Sequence, residues 1–271
     1  MGSDVANFVG DIPEHYDRDL GPMIFVDYAT DIARRAADSN PARVLETAAG
    51  TGIVTRQLRS VLDAGARLTA TDLNQPMLAV ARTKFRKGEQ VEFRPTDAAV
   101  LPFSDAIFDT VVCQFGVMFF PNKEKSYHEV HRVLAPGGRY LFSVWDSQRH
   151  NAFARLAHDA ASSFFPEDPP QFYKVPFSYC QIDPIKESLI GAGFSDITVA
   201  IVRLEKEIPD AARFARGLVY GNPLIEQIRA RGGVSPDRIV EALTKALRQE
   251  FGVDPGRMSL QAIIFSARRP S

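Results

Sequence analysis

The stretch that decides the fold is Val44-Leu45-Glu46-Thr47-Ala48-Ala49-Gly50-Thr51-Gly52-Ile53-Val54-Thr55. A short apolar strand ends there in a carboxylate, and a glycine-bearing turn then opens a helix. Such a turn brings backbone amides up against a ligand, because glycine lets the backbone approach without a Cβ in the way. The stretch therefore predicts a ligand site at the carboxyl end of a first strand.

The carboxylate of Glu46 discriminates between the ligands that such turns bind. It would repel a pyrophosphate laid over the helix N-terminus, whereas it would attract a ligand that carries an ammonium group and a sulfonium, such as S-adenosylmethionine. A dinucleotide fingerprint G-x-G-x-x-G counted from Gly50 also requires glycine where this chain has Thr55. The residues favour S-adenosylmethionine, and an NAD-dependent oxidoreductase stays open as the alternative.

Size and charge limit the class of protein. The chain has 271 residues, 45% of them hydrophobic, which suits one large α/β domain over residues 1–271 better than two domains. Lys plus Arg number 32 against 33 Asp plus Glu, so the formal charge of -1 gives no basic field for nucleic acid or an anionic membrane. We expect a small-molecule partner and no nucleic acid, and a homodimer is compatible with the sequence.

Cysteines and apolar runs indicate the compartment. Cys113 and Cys180 are far apart in sequence, so neither a disulfide framework nor a cysteine metal site is predicted. Residues 1–13 lack a basic segment followed by an apolar core, and no apolar run reaches the roughly 18 residues that cross a bilayer. We therefore expect no bound metal, no membrane span and a cytoplasmic location.

Apolar strands alternate with amphipathic helices from about Ile24 to Trp145, which is typical of a parallel sheet with right-handed crossovers. The first helix is predicted at residues 23–35. Two helical inserts, 148–180 and 207–257, follow later strands and are expected to fold over one end of the sheet as a lid. The sequence thus predicts an α/β fold with a doubly wound, mostly parallel sheet of seven strands, at 42–46, 67–72, 91–95, 107–116, 139–145, 195–204 and 260–267.

Polar side chains fall at consecutive strand ends, where the ligand crevice of a doubly wound sheet lies. Glu46 ends the first strand, and Asp72 ends the second, where a carboxylate can accept both hydroxyls of a ribose. Asp97 follows the third strand and could accept a hydrogen bond from an exocyclic amine such as that of adenine. Gln114-Phe115 end the fourth strand beside the expected methionine arm. An adenosine with a charged amino-acid tail would use all of these groups.

Five motifs follow one another in order: Glu46-Thr47-Ala48-Ala49-Gly50-Thr51-Gly52, Thr71-Asp72-Leu73-Asn74-Gln75-Pro76-Met77-Leu78, Thr96-Asp97-Ala98, Cys113-Gln114-Phe115-Gly116-Val117-Met118-Phe119-Phe120-Pro121 and Arg132-Val133-Leu134-Ala135-Pro136-Gly137-Gly138. Together they resemble the class I S-adenosylmethionine-dependent methyltransferases over about residues 14–145. Within that superfamily the chain is similar to the small-molecule branch (methyltransferase type 11) that includes the ubiquinone/menaquinone C-methyltransferases. The resemblance implies a Rossmann-like methyltransferase fold and an enzyme that converts S-adenosylmethionine to S-adenosylhomocysteine.

The resemblance also implies site residues. It places Glu46 and the backbone of Ala48 and Gly50 at the methionine moiety, and Tyr16 over the cofactor. Ala48 stands where the commoner loop has glycine, which leaves slightly less room under the methionine tail. The implied cofactor-binding residues are Tyr16, Glu46, Ala48, Gly50, Gly52, Asp72, Leu73, Met77, Thr96, Asp97, Ala98, Gln114 and Phe115.

Catalytic residues are harder to find, because methyl transfer from a sulfonium requires alignment and exclusion of water more than a side-chain nucleophile. His15, next to Tyr16, is the histidine considered as a general base. The aromatic stretch from Phe164 to Tyr179 is expected to supply both lid core and pocket wall. The first hypothesis is a methyltransferase acting on a small, apolar or aromatic acceptor. A non-catalytic adenosyl-ligand-binding module is a further alternative.

Overall fold

A seven-stranded sheet forms the centre of the computed structural model, which describes residues 6–271. Its order is β3-β2-β1-β4-β5-β7-β6, in which β7 is antiparallel to both neighbours and the other pairs are parallel. The predicted α/β class and the doubly wound, mostly parallel sheet are confirmed. The strands are Arg43–Glu46 (β1), Arg67–Asp72 (β2), Val91–Pro95 (β3), Phe108–Gln114 (β4), Leu134–Trp145 (β5), Ser195–Ile208 (β6) and Gly256–Arg268 (β7).

Helices connect and flank these strands. Short 3₁₀ turns occur at Val117–Phe119 and Phe172–Lys174, and a π-helical segment, Tyr16–Phe25, joins the first two helices. The α-helices are Ile12–His15 (α1), Val26–Ala37 (α2), Ile53–Val61 (α3), Gln75–Thr83 (α4), Lys123–Val133 (α5), Ala152–Ser162 (α6), Ile182–Gly191 (α7), Ala211–Tyr220 (α8), Leu224–Arg231 (α9) and Pro236–Phe251 (α10).

Alternate residues of the central strands build separate cores, because successive side chains of a strand point to opposite faces. On one face, Val112 of β4 and Leu141 of β5 belong to a buried cluster with α2 and α3. On the other, Val111 and Phe142 belong to a larger cluster that includes α5 and α7. Helices on both faces bury the central strands.

The strand order reverses between β1 and β4, and this switch point locates the crevice. From β1 the chain runs outward through β2 to β3, whereas β4 returns to the other side of β1. Parallel strands end at the same edge of a sheet, so Glu46, Asp72 and Gln114, the last residues of β1, β2 and β4, share that edge.

The first helical region differs from its prediction. Helix was expected at residues 23–35. The structure has continuous helix from Ile12 to Ala37, with Pro22 inside the π-helical segment. Bonds from residue i to i-5, such as Val26 N to Gly21 O, replace the α-helical pattern there. The wider turns thus carry the chain past the proline.

The fifth strand also begins earlier than predicted, at Leu134 rather than Arg139. Leu134 pairs with Phe108, so the segment Ala135-Pro136-Gly137-Gly138 is already part of the strand. The backbone amide of Gly137 donates to Arg269 O at 2.9 Å, and Arg269 N donates to Gly138 O at 2.9 Å. Partners from the far end of the chain hold this glycine turn, and local sequence does not reveal them.

Among residues 6–271, no helix is long and apolar enough to cross a bilayer. The expectation that residues 1–13 lack an export signal partly concerns residues 1–5, which lie outside the described residues. The cytoplasmic location and the homodimer stay predictions. The two inserts contain α6 and the turn at Phe172–Lys174 in the first, and α8, α9 and α10 in the second.

Gly116 provides a stability test of the contact between two strand ends. A Cβ added at Gly116 would overlap the Cβ of Ala48 and lie 2.9 Å from Cys113 Sγ. We expect Gly116→Ala to lower the free energy of unfolding by about 1 to 3 kcal/mol, because overpacking forces neighbouring groups to shift. Urea denaturation followed by circular dichroism measures the change.

Gly191→Ala is the matched control for Gly116→Ala. Gly191 lies in α7, and a Cβ added there meets no heavy atom within 4 Å. Alanine at that position should leave the free energy of unfolding unchanged or raise it by up to about 1 kcal/mol, through its higher helix propensity. Equal stability of the two variants would contradict the packing argument.

Candidate functional site

A cavity of about 590 Å³ lies at the carboxyl ends of the central strands, within the size range of small-molecule pockets. We call one part the strand-end half; its walls come from the loops after β1, β2 and β3. We call the other part the aromatic half; its walls include Trp145, Phe153, Phe172, Tyr173, Phe177 and Leu218. One continuous space thus joins a polar region at the sheet to an apolar region under the inserts.

Backbone hydrogen bonds fix the turn after β1. Thr47 N donates to Val112 O at 2.9 Å, and Ala49 N donates to Thr71 O at 2.9 Å, so the turn is bonded to the strands on both sides. Gly50 N donates to Asp72 Oδ2 at 2.9 Å. Hydrogen bonds to both neighbouring strands therefore fix the position of the turn.

Two residues that line the cavity adopt left-handed backbone conformations that normally favour glycine. Ala48 has φ 52° and Phe115 has φ 52°, and each conformation costs about 1 to 2 kcal/mol for a non-glycine residue. Such strain persists only where the surroundings hold it, and it occurs often at ligand sites. The neighbouring Gly116 lets the two turns pack together, so the side chain of Phe115 is directed toward the cavity wall.

The Glu46 side chain lies beneath the turn and does not line the cavity. It is 1% exposed, and its Oε2 has no hydrogen-bond partner among residues 6–271. Burial raises the pKa of this carboxyl from its ordinary value of 4.5 to about 8, and the nearby charge of Asp72 adds to the shift. A buried carboxyl without a full set of partners can stabilise positive charge close above it.

Asp72 lines the strand-end half directly. Its Oδ1 accepts from Asn74 N at 2.7 Å, and its Oδ2 accepts from Gly50 N. Burial raises the pKa of this carboxyl, against the effect of those amide donors. A carboxylate oxygen accepts two hydrogen bonds, so Oδ2, with one bond, retains acceptor capacity toward the cavity, whereas Oδ1 also accepts from Asn74 Nδ2 at 3.3 Å.

The structure brings most of the residues implied for the cofactor into the cavity wall. Those that line it are Tyr16, Ala48, Gly50, Asp72, Leu73, Met77, Thr96, Asp97, Ala98, Gln114 and Phe115. Glu46 and Gly52 do not. Gly52 precedes α3 with φ 77°, and a Cβ there would lie 2.8 Å from Ala81 Cβ, so its glycine serves the packing of α3 against α4.

His15, the histidine considered as a base, does not line the cavity either. Its Nδ1 lies 3.2 Å from Asp19 Oδ2, and its ring centroid lies 5.4 Å from that of Tyr220. Although burial opposes it, hydrogen bonds from Arg18, Arg213 and His15 lower the pKa of Asp19 to about 2. His15 thus belongs to a charged cluster where the π-helical segment meets α8.

The aromatic half contains residues that the sequence analysis missed or left unresolved. Trp145 stacks on Phe115 with centroids 4.0 Å apart, and Phe177 stacks on Trp145 at 5.9 Å. From the aromatic stretch expected to give both core and wall, Phe172, Tyr173 and Phe177 reach the cavity. Trp145 is the last residue of β5, so the strand-end rule applied one strand further would have found it.

Few polar groups face the aromatic half. Tyr173 donates its hydroxyl to Leu218 O at 2.7 Å and accepts from Asn222 Nδ2 at 3.1 Å. Gln114 Nε2 donates to Phe25 O at 3.3 Å, whereas Gln114 Oε1 is buried and has no partner among residues 6–271. The lining in this described region includes no lysine, arginine or histidine. The aromatic half of the cavity therefore suits an uncharged, largely apolar molecule.

Comparison with known proteins agrees with this geometry. Residues 45–142 match the methyltransferase domain family. Demethylmenaquinone methyltransferase of Thermus thermophilus is 43% identical over 125 residues, which are 44% of this chain and 56% of that protein. Ubiquinone/menaquinone biosynthesis C-methyltransferase of Ectopseudomonas mendocina is 31% identical over 169 residues, 58% of this chain and 66% of that protein. The match thus spans between about half and two thirds of these relatives' length.

A solved structure supports the fold. Phosphoethanolamine N-methyltransferase 2 of Haemonchus contortus, in complex with S-adenosyl-L-methionine, superposes with a TM-score of 0.61 at 20% identity. The match covers 96% of this chain and 57% of that one. The Rossmann-like methyltransferase fold predicted from the sequence is confirmed.

The raised pKa of Glu46 predicts a pH-dependent effect on stability. The folded protein holds this proton more tightly than the unfolded chain does. The protonated Glu46 carboxyl therefore contributes its full stability to the fold below about pH 4.5, and this contribution to the free energy of unfolding is lost as the pH rises to about 8. Glu46→Gln cannot ionise, so its free energy of unfolding relative to wild type should rise between pH 5 and pH 8 by an amount on the order of a few kcal/mol.

Urea denaturation of both proteins across that pH range measures the difference between their free energies of unfolding. The contributions of the other titrating groups are the same in both proteins and cancel in this difference. Glu92→Gln, which removes an exposed carboxyl from β3, is the control, and its stability relative to wild type is measured over the same pH range. A flat difference for Glu46→Gln would show that the Glu46 carboxyl has its ordinary pKa.

Proposed function

We propose that this chain, whose residues 45–142 belong to the methyltransferase domain family, is an S-adenosylmethionine-dependent methyltransferase acting on a small, apolar or aromatic acceptor. One observation carries the proposal. A single cavity joins a strand-end half with carboxylates and backbone turns to an aromatic half with room for a second molecule. A reaction between an adenosyl donor and an apolar acceptor requires this arrangement.

The strand-end half fits the donor residue by residue. Asp72 would accept the ribose hydroxyls, while Leu73, 65% exposed, and the buried Met77 would lie on either side of the adenine. The Glu46 carboxyl beneath the turn, once ionised, would attract the ammonium of a methionine tail bound above the turn. Asp97 remains exposed at the cavity edge for an exocyclic amine.

The chemistry follows from position. When bound, the donor's sulfonium supplies a methyl group already activated for displacement. The chain's own side chains then hold the acceptor in line and keep water out, which Phe115, Trp145 and Phe177 achieve by enclosing the space in stacked rings. Gln114 Oε1 offers a hydrogen-bond acceptor that could orient a hydroxyl or amine of the substrate.

The aromatic half also bears on the choice of acceptor and on the alternatives. It lacks a cationic side chain among the described residues, so an anionic acceptor would have no counter-charge. A flat, uncharged ring suits it, in keeping with the quinone-pathway names of the relatives.

Space beside the donor favours an enzyme over a non-catalytic ligand-binding module. Thr55 in place of the third fingerprint glycine continues to disfavour the NAD-dependent alternative.

Asp72→Asn tests the donor site. Calorimetric titration of the wild type with S-adenosylhomocysteine should show binding, and the variant should bind at least about tenfold more weakly because an amide donates where the ribose requires an acceptor. Folded wild-type protein that binds no S-adenosylhomocysteine would overturn the proposed function.

Asp109→Asn is the matched control for this titration. Asp109 also accepts two backbone amides through its carboxylate, from Ala42 at 2.9 Å and Arg43 at 2.8 Å, but at the opposite end of the sheet. The Asp109→Asn variant should have a lower free energy of unfolding than wild type but the same affinity for S-adenosylhomocysteine. An equal loss of affinity in both variants would mean that general destabilisation, not the donor site, explains the result.

Phe177→Ala tests the acceptor site. The variant should bind S-adenosylhomocysteine within about twofold of wild type, while methyl incorporation into a panel of phenols and quinone precursors should fall by about tenfold or shift to bulkier acceptors. Labelled methyl transfer measures this. Phe194→Ala, at a buried ring packed on His131 and Tyr140 away from the cavity, controls for lost packing and should keep the wild-type acceptor profile.

A further inference from the structure

We propose that Asn74 is a positioning residue that ties an N-terminal strap, residues 6–9, to the wall of the strand-end half and couples this closure to ligand binding at Asp72. The strap residues all line the cavity, although the sequence assigned them no role. The inference deepens the proposed function and relies on it for the identity of the ligand.

The side-chain amide of Asn74 makes two hydrogen bonds to the strap backbone. Its Oδ1 accepts from Phe8 N at 3.2 Å, and its Nδ2 donates to Ala6 O at 3.1 Å. One planar amide thus pairs with the backbone on either side of Asn7 in the way a neighbouring strand would. Only asparagine or glutamine offers both a donor and an acceptor of this kind.

Helix capping does not explain this asparagine. Asn74 occupies the N-cap position of α4, where an asparagine side chain ordinarily accepts from the first amides of the helix. No such bond forms here. By contrast, Asn122 at the start of α5 does cap its helix, accepting from Lys125 N at 2.9 Å. The side chain of Asn74 is turned to the strap instead.

The same residue contacts the carboxylate expected to bind the ribose. Asn74 N donates to Asp72 Oδ1 at 2.7 Å, and Asn74 Nδ2 approaches that oxygen at 3.3 Å. A ligand hydroxyl bound to this oxygen would replace its long bond from Nδ2, which leaves Nδ2 to donate to Ala6 O, and would fix the orientation of the carboxylate. Because Asn74 links both partners, ordering of Asp72 by ligand favours the strap-bound position of the amide.

Phe8 extends the strap toward the aromatic half. Its ring meets Tyr16 edge-to-face at 5.9 Å and Phe119 at 6.0 Å. Phe119 in turn stacks on Phe172 of the first insert at 6.1 Å. The strap therefore closes the strand-end half and connects through Phe119 to Phe172 of the aromatic half, so its release would open the route by which the donor product leaves.

The experiment combines hydrogen exchange with ligand dissociation. In the wild type, S-adenosylhomocysteine should slow exchange in the peptide that contains the Phe8 amide. Asn74→Ala should speed that exchange in the free protein, abolish its slowing by ligand, and increase the dissociation rate of S-adenosylhomocysteine about tenfold through loss of two hydrogen bonds. Asn122→Ala removes a true helix cap and should change neither measurement.

Two results would overturn the inference. Wild-type exchange and dissociation rates in Asn74→Ala would show that the strap is not held by Asn74. If Asn74→Ala speeds exchange of the Phe8 amide but leaves the dissociation rate of S-adenosylhomocysteine unchanged, the strap does not retain the ligand. Phe8→Ala gives a second route, since it keeps the Asn74 bonds to the backbone and should also speed dissociation. If the folded wild type binds no S-adenosylhomocysteine, the proposed function fails, whereas exchange of the Phe8 amide still decides whether Asn74 holds the strap.

Discussion

The contact between the turn after β1 and the turn after β4 is the constraint on which the site depends. The methyl group of Ala48 lies against Gly116, and the missing Cβ of that glycine makes the space for it. Both turns then adopt left-handed conformations at Ala48 and Phe115. The floor of the strand-end half and the position of the Phe115 ring are consequences of this one close approach.

Sequence reasoning located the strand-end half because its determinants are local. Glu46, Asp72 and Gln114 each end a strand whose apolar pattern is visible in the chain, and parallel strands bring their ends together. Whether a side chain lines the cavity or lies beneath it is a different matter. Glu46 is 1% exposed and does not line the cavity, and the apolar pattern of its strand does not show that.

The remaining features rest on contacts between distant segments. The strap meets Asn74 across more than sixty positions of sequence, and nothing in the residues around Asn74 distinguishes a strap partner from a helix cap. The π-helical passage through Pro22 and the early start of β5 likewise depend on partners elsewhere in the fold. The periodicity of apolar residues identifies the helices and strands. The ends of those elements and the lining of the aromatic half depend on contacts between segments that are distant in sequence.

The pairing of Ile208 with Gly256 has an evolutionary consequence. The second insert leaves the sheet at the end of β6 and returns at the start of β7, so its two ends are neighbours held by the ladder itself. The entropy of closing a chain grows slowly with its length, so segments of different size can be accommodated between those ends. Proteins that descend from one ancestral gene could thus differ in the part of the cavity lining that the second insert supplies, which here includes Leu218 and Asn222, and still share the strand-end half.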